Sequence, residues 1–383
     1  MVSLLVEKIN GFFRYKYVRN QSLRKSGLSY ALPIGNSDSS IGYLGWVGYG
    51  NYGDDVIFKT LESTFNQFPL KIADAVSVFE TLVRRKRVEK CMSAYMLGGG
   101  TLIFRSQYIG PVEELVDEKK ALFCFGTGVA DTEYWKKSID SQQVDSISER
   151  WISALKKFEY IGVRGPLSKL MLETKGVSDV EVIGDSALAL GRHTKVRRHE
   201  GKTIGISVGA HDPVEGGQDV INEVLERFVV ARSLEGFKIR FLQFSPMDYM
   251  HAKKISDRAG LVGADFISFD GNISSFSNAI ADCDFVVGER LHSVVIAAAF
   301  GVPFVALSYQ PKCVDFARSI DCEEYLLNID GLSFDRLNSA FSMAWEDRKI
   351  FREKLIAMAD YYSEKQIFRA REIGFSLGMT SGK

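Results

Sequence analysis

The chain has 383 residues, 48 of them Lys or Arg and 48 Asp or Glu, which leaves a formal net charge of zero with histidine neutral. That length exceeds one ordinary core and suits two domains of about 150 to 200 residues each. The balanced charge excludes a global field that would gather nucleic acid, so an anionic ligand has to be held by local positive groups. Five cysteines scattered without a C-x-x-C pair suit a reducing compartment rather than a disulfide framework. With five histidines, none in H-x-x-x-H spacing, no protein-built metal site is expected.

In chain order, residues 1–25 carry Lys8, Arg14, Lys16, Arg19, Arg24 and Lys25 against the single acid Glu7, interleaved with apolar residues. Two readings stand: an amphipathic segment resting on an anionic membrane face, or a helix packed on the body with a solvated basic edge. The start lacks the basic n-region, apolar h-region and cleavage site of a secretory signal. The longest apolar stretch, Val294 to Leu307, is interrupted by Gly301 and Pro303, so no bilayer span is expected. The chain reads as cytoplasmic, and on the first of those two readings residues 1–25 are a peripheral membrane contact.

After a loop at 33–40, apolar runs predict strands at 41–47, 74–79, 92–97, 121–125, 159–163 and 180–183, with helices between them. Residues 191–202 are polar, basic and glycine-bounded, as a linker is. A second series predicts strands at 203–208, 237–244, 264–269, 284–287 and 303–307, with helices near 217–234, 247–259, 274–281, 291–300 and 312–319. The tail from 334 to about 373 reads as long, charged and helical. Such alternation gives right-handed β-α-β units and parallel sheets. The organisation expected is an N-terminal segment 1–40, a Rossmann-like domain 41–190, a linker 191–202, a second Rossmann-like domain 203–333 and a helical tail 334–383, with an interdomain cleft. Ligands of doubly wound sheets sit at the carboxyl ends of the strands, so the strand-to-helix turns carry the chemistry.

The first turn, Gly48-Tyr49-Gly50-Asn51-Tyr52-Gly53, matches G-x-G-x-x-G. A dinucleotide loop offers a pyrophosphate the positive end of a helix. Here Asp54 and Asp55 already place carboxylates there, so the anion would meet like charges. Gly50 and Gly53 are expected to make the turn and Asp54 to cap the helix. A compatible functional reading has a carboxylate at the cleft mouth binding sugar hydroxyls or taking a proton from one. A second turn, Gly98-Gly99-Gly100, either admits a ligand close to backbone amides or is merely tight, and Gly126-Thr127-Gly128 has the same character. In Gly162-Val163-Arg164-Gly165-Pro166, Pro166 suits the first turn of a helix. Arg164 then stands at a helix N-terminus, where a cation points to a bound negative group.

The strongest signal lies in residues 281–312. A strand ends at Gly288, Glu289-Arg290-Leu291-His292 form the turn, and a small-residue helix from Val294 to Phe300 follows. Arg290 offers a bidentate fork for phosphate or carboxylate. His292 can donate a proton near neutral pH, its alternative being a satisfied structural histidine. Tyr309 and Lys312 follow the next strand and are expected to face the same cleft.

Taken together, "GNYGDD" (50–55), "LGGGTLI" (97–103), "GVRGPLSKLMLETKGV" (162–177), "VIGDSAL" (182–188) and "ERLHSVVIAAAFGVPFVALSYQPK" (289–312) resemble the polysaccharide pyruvyl transferase family over roughly residues 42–320. The resemblance implies two Rossmann-like domains of the GT-B type. It implies transfer of an enolpyruvyl-derived group from phosphoenolpyruvate, the co-substrate, to a sugar diol of a cell-surface polysaccharide or its precursor, with no further cofactor. It also implies that Arg164, Arg290 and His292 bind the donor. On this reading Leu291, Tyr309 and Lys312 complete the donor side, while Asn51, Asp54, Gly99 and Gly100 form the acceptor side. His292 and either Asp54 or Asp55 do the proton chemistry. The acceptor is a sugar, an oligosaccharide or a lipid-linked glycan. One departure is Gly165, where members of the family often have Asp. The chief alternative is a GT-B glycosyltransferase with a nucleotide-sugar donor, against which the second domain lacks a clear acidic ribose clamp, Glu215 being poorly placed. A non-catalytic sugar- or carrier-lipid-binding subunit is the alternative of another class.

Overall fold

The computed structural model describes residues 40–75, 87–88, 92–193, 201–209 and 217–378. The basic segment 1–25, residues 194–200 of the linker and Glu215 lie outside them. The chain divides into two compact units, one of Met1–Tyr49, Asp54–Ser186 and Glu364–Lys383, the other of Gly50–Gly53 and Ala187–Ser363. Four residues of the opening glycine loop thus group with the second unit, and the C-terminal tail is divided at Glu364.

The first unit is built from β1 (Ile41–Leu44), α1 (Tyr52–Thr64, whose first two residues group with the second unit), β2 (Leu70–Ile72), the short antiparallel pair β3 (Asp74–Ala75) and β4 (Arg87–Val88), β5 (Ala94–Gly98), β6 (Thr101–Ile103), α2 (Ser106–Asp117), β7 (Ala121–Val129), α3 (Thr132–Lys136), α4 (Ser141–Leu155), β8 (Tyr160–Val163), α5 (Pro166–Thr174) and β9 (Val180–Val182). Its main sheet is parallel in the order β2-β1-β5-β7-β8-β9, with β6 added on β7. Every residue of β1 and β5 is buried, which is why these strands read as continuous apolar runs rather than alternating ones. Trp151 on α4 is fully buried in the core with Tyr95, Leu97 and Val163, and its indole N–H donates to the Arg105 carbonyl at 3.1 Å. On the side away from β5, β1 pairs with β2, a strand not among those expected; of the expected strand at 74–79 only Asp74–Ala75 is described, in the antiparallel pair. Leu-Lys-Ile is too short to show a period of its own.

The second unit contains β10 (Thr203–Ser207), α6 (Gly217–Leu234), β11 (Lys238–Gln243), α7 (Asp248–Arg258), β12 (Asp265–Ser268), α8 (Ile273–Ala281), β13 (Phe285–Gly288), α9 (Leu291–Ala299), β14 (Phe304–Ser308), α10 (Pro311–Ser319), β15 (Leu326–Asn328), α11 (Phe334–Glu346) and the start of α12 (Arg348–Ser376). The all-parallel order β12-β11-β10-β13-β14-β15 is the Rossmann winding, which reverses direction between β10 and β13. Helix α9 buries all its residues but His292, and its alanines let it lie close on the sheet. Phe228, Phe237 and Phe285 surround Phe341 with ring centroids 5.3, 5.7 and 4.9 Å from it, and this aromatic cluster seats α11. The tail is helical as expected, in two helices divided at Asp347, the C-cap of α11.

The last turns of α12 belong to the first unit. There the Gln366 amide donates to the carbonyls of Ile183 and Asp185 at 2.9 and 3.1 Å. No helix among the described residues is long and apolar enough to cross a membrane.

Candidate functional site

In the second unit the winding reverses between β10 and β13, so their carboxyl ends diverge and leave a crevice. The loops there are stitched together. Glu289 donates its N–H to the Ser207 carbonyl at 2.9 Å, and its buried carboxylate accepts the Gly209 N–H at 2.9 Å. Arg290 is the N-cap of α9 in extended conformation, but its side chain does not cap the helix. The guanidinium instead pairs with Asp248, the first residue of α7. Asp248 is fully buried and accepts the N–H groups of Phe244 and Ser245 at 3.0 and 3.1 Å. Burial pushes its carboxyl up, against the pull of the Arg290 charge and the two amides. Burial would also weaken the Arg290 charge, yet Asp248, with Tyr309 and Glu289, raises its pKa and keeps it cationic. Gly209 lies beneath this side chain, since a Cβ there would stand 2.4 Å from Arg290 Nε.

His292 is the half-buried residue in the first turn of α9, and its ring lies against Gly53. The amides of Leu291 and His292 belong to the helix start, where N–H groups have no intrahelical acceptor. Past β14, Lys312 Nζ lies 4.8 Å from the centroid of the Tyr309 ring. Arg290, Leu291 and His292 therefore surround one helix N-terminus, with Tyr309 near enough to Arg290 to bias its charge.

Gly50–Gly53 group with this unit because Tyr52 is an anchor. Its N–H donates to the Phe244 carbonyl at 3.0 Å, its hydroxyl meets Ser277 Oγ at 2.6 Å, and its ring packs on Phe244, Phe269 and Phe276. Helix α1 starts at Tyr52, and Asn51 Oδ1 accepts the Gly53 N–H at 3.2 Å. The cap is therefore Asn51, not Asp54. The turn glycines are Gly48 and Gly50, with φ of 82° and 73°, while Gly53 is helical.

In the first unit the reversal lies between β1 and β5, where the Trp46–Tyr49 and Gly98–Gly100 loops emerge. Asp55 is fully buried and accepts the Gly48 N–H at 2.6 Å, which fixes the loop. Asp54 is half-buried, its Oδ1 3.3 Å from where a Cβ on Gly100 would stand. Gly99 and Gly100 both have positive φ. The Gly100 carbonyl accepts the Gly128 N–H at 2.9 Å and Arg164 Nη1 at 3.3 Å, and Arg164 Nη2 reaches Thr101 Oγ1 at 3.2 Å. Arg164 does not project from the start of α5 as the sequence suggested. Gly165 is the N-cap of that helix, and Arg164, 1% exposed, turns inward beneath the glycine loop.

Asp248 and Gly209 escaped the sequence reading. An acid that opens a helix reads as an ordinary dipole partner, and nothing local marks Arg290, 42 residues on, as its partner.

A comparison with curated protein sequences finds no significant match. Among solved structures, S. aureus MnaA, solved with UDP, superposes with a TM-score of 0.59 at 11% identity, over 90% of this chain and 98% of that one. A Listeria monocytogenes protein described as a UDP-N-acetylglucosamine 2-epimerase does so with a TM-score of 0.53 at 12% identity, over 88% and 96%. At such identity the likeness shows the fold alone, an α/β chain of two Rossmann-like domains in the GT-B class. The sequence profile of one family, described as polysaccharide pyruvyl transferase, matches residues 41–311. With that span covering well over half of its length, the chain belongs to the polysaccharide pyruvyl transferase family.

Proposed function

We propose that the protein transfers the pyruvyl group of phosphoenolpyruvate to two hydroxyls of a sugar, forming a cyclic ketal on a polysaccharide or its precursor. The observation that carries this reading is the placement of Arg290 and His292 around the N-terminus of α9, at the reversal point of the second sheet. Phosphoenolpyruvate bears a phosphate and a carboxylate. A fixed guanidinium, an imidazole and the positive end of a helix suit that pair of anions.

In the reaction, the methylene carbon gains a proton and C2 is attacked by the first hydroxyl. The C2–O bond to phosphate then breaks and the second hydroxyl closes the ketal. Of the two hydroxyl protons, one is balanced by the new methyl C–H and the other leaves with inorganic phosphate. We assign Arg290, with the amides of Leu291 and His292, to the donor anions. His292 delivers the proton or steadies the departing phosphate, and Lys312 and Tyr309 border the donor. Arg164 adds positive charge from beneath the Gly99-Gly100 loop. Asp54 orients or deprotonates the acceptor diol, Asn51, Gly99 and Gly100 shape its surroundings, and Asp55 acts as a structural residue.

The test is incubation of the purified chain with phosphoenolpyruvate and a panel of glycans, free and lipid-linked, following phosphate release and ketal formation. Labelled nucleotide-sugars run in parallel. Sugar transfer from a nucleotide with no phosphate released from phosphoenolpyruvate would overturn the proposal.

A further inference from the structure

The amino edge of the second sheet, at the opposite ends of the strands from Arg290, holds a cavity of about 300 Å³ lined by Lys202, Asp284, Trp345, Arg348, Lys349 and Arg352 among others. Strands of five residues separate the two edges by roughly 15 Å. Four cations face this cavity against one carboxylate. That carboxylate is already engaged: Asp284 Oδ1 accepts the Gly201 N–H at 2.9 Å and Oδ2 the Thr203 N–H at 2.8 Å, tying the start of β13 to the start of β10.

Three of the cations are held in place without being neutralised. Arg348 donates through Nη1 to the Trp345 carbonyl at 2.8 Å and stacks 4.7 Å from that indole. Arg352 gives its Nε–H to the Gly301 carbonyl at 3.1 Å, and Lys202 reaches the Glu235 carbonyl at 3.3 Å. All three acceptors are uncharged, and none of the four cations makes an ion pair among the described residues. Arg348, Lys349 and Arg352 also crowd the first turns of α12, which has no acid in its first turn. Asp347, just before the helix, supplies one carboxylate outside the cavity lining, so three cations still outnumber acids at this positive helix end, an imbalance that a bound anion relieves. Arg348 and Arg352, four residues apart, share one helix face, and their unused N–H groups form a donor set suited to phosphoryl oxygens.

We infer that this cavity is a second anion site, independent of the donor site, which binds a diphosphate group. At about 30 Å³ per water, the space holds roughly ten waters, enough for two linked phosphoryl groups. The group is carried either by a soluble compound or by a lipid headgroup.

Titration calorimetry of the full chain with inorganic pyrophosphate tests it. Saturable binding that weakens with salt is expected, reduced about tenfold or more by Lys349→Glu and by Arg348→Gln. The same affinity should persist in His292→Ala and Arg290→Ala. Circular dichroism confirms that each variant folds, and Lys349 is the safest because its side chain is exposed. Co-sedimentation with phosphatidylcholine vesicles carrying a polyprenyl diphosphate identifies the source. Vesicle binding lost in Lys349→Glu means a lipid headgroup, and pyrophosphate binding alone means a soluble ligand. Absence of pyrophosphate binding, or binding lost in Arg290→Ala but kept in Lys349→Glu, overturns the inference.

Discussion

The imidazole of His292 rests against the backbone of Gly53 so closely that a Cβ at position 53 would stand 2.0 Å from Nδ1. The third glycine of the G-x-G-x-x-G string is therefore a seat for a side chain of the proposed donor site, not a cradle for a pyrophosphate. Gly53→Ala should improve the helix propensity of α1 by up to about 1 kcal/mol and still displace the ring, because ring atoms cannot swing aside as a chain end does. Relieving that overlap costs about 1 to 3 kcal/mol, so the expected result is a melting temperature no higher than the native one, with turnover from phosphoenolpyruvate lowered at least about tenfold. Unchanged turnover would mean that the position of His292 is not critical.

His292→Ala removes the group itself. A positioned acid or base contributes about a hundredfold to ten-thousandfold, or roughly 3 to 5 kcal/mol of transition-state stabilisation. Turnover should fall by that factor while circular dichroism stays unaltered. Steady-state phosphate release measures it, and wild-type turnover would remove His292 from the mechanism.

Asp248 holds Arg290 and also accepts two amide N–H groups. Asp248→Asn keeps the shape and removes the charge, so the guanidinium loses its orientation. KM for phosphoenolpyruvate should rise more than kcat falls. Urea unfolding should show a loss of about 3 kcal/mol, the lower end for breaking a buried pair, since Arg290 retains some solvent contact. Equal changes in both kinetic parameters would argue against a positioning role.

Neighbouring aspartates should separate. Asp55→Ala strips the buried Gly48 N–H of its acceptor and is expected to lower stability by about 1 to 3 kcal/mol. Asp54→Asn should leave the melting temperature alone and reduce transfer to the acceptor. If Asp55 variants melted normally, the structural assignment would fail.

Glu181 on β9 sets an acid limit. It accepts the Tyr160 hydroxyl at 2.9 Å and pairs with Lys365 and Arg369 of α12 at 3.1 and 2.7 Å. Burial alone would push its carboxyl up, but the bonds from Arg369, Tyr160 and Lys365 prevail and hold it below the usual carboxylate range. A folded pKa below the unfolded one gives stability that is complete above the unfolded value, about 4.3, and is lost as pH falls through the folded value. Glu181→Gln should therefore be less stable than the native chain at neutral pH, by about 1 kcal/mol, and equal to it in strong acid. Denaturant midpoints across that range decide the point, and a difference independent of pH would refute it.

Much of this protein was legible locally. Apolar runs bounded by glycine mark buried parallel strands, because strands covered on both faces have no polar side to show. The Glu289-Arg290-Leu291-His292 turn stood out because a cation and an imidazole sit where acids normally cap. Local sequence could not reveal what Arg290 and His292 rest on. Gly209, Asp248 and Gly53 lie 81, 42 and 239 residues earlier in the chain; parallel winding brings the first two to Arg290, and the packing of Tyr52 brings Gly53 to His292. Cap chemistry was misplaced by three residues for a related reason: the start of α1 is fixed by Tyr52 packing on Phe244, Phe269 and Phe276. The inward turn of Arg164 has the same origin, since its hydrogen-bond acceptors at Gly100 and Thr101 come from the strand-end loop of another β-α unit. Sequence determined which side chains can hold an anion, because that is a property of the residues. Which of them meet, and on what backbone, was decided by tertiary structure, because contacts across a parallel sheet leave no periodicity in the chain.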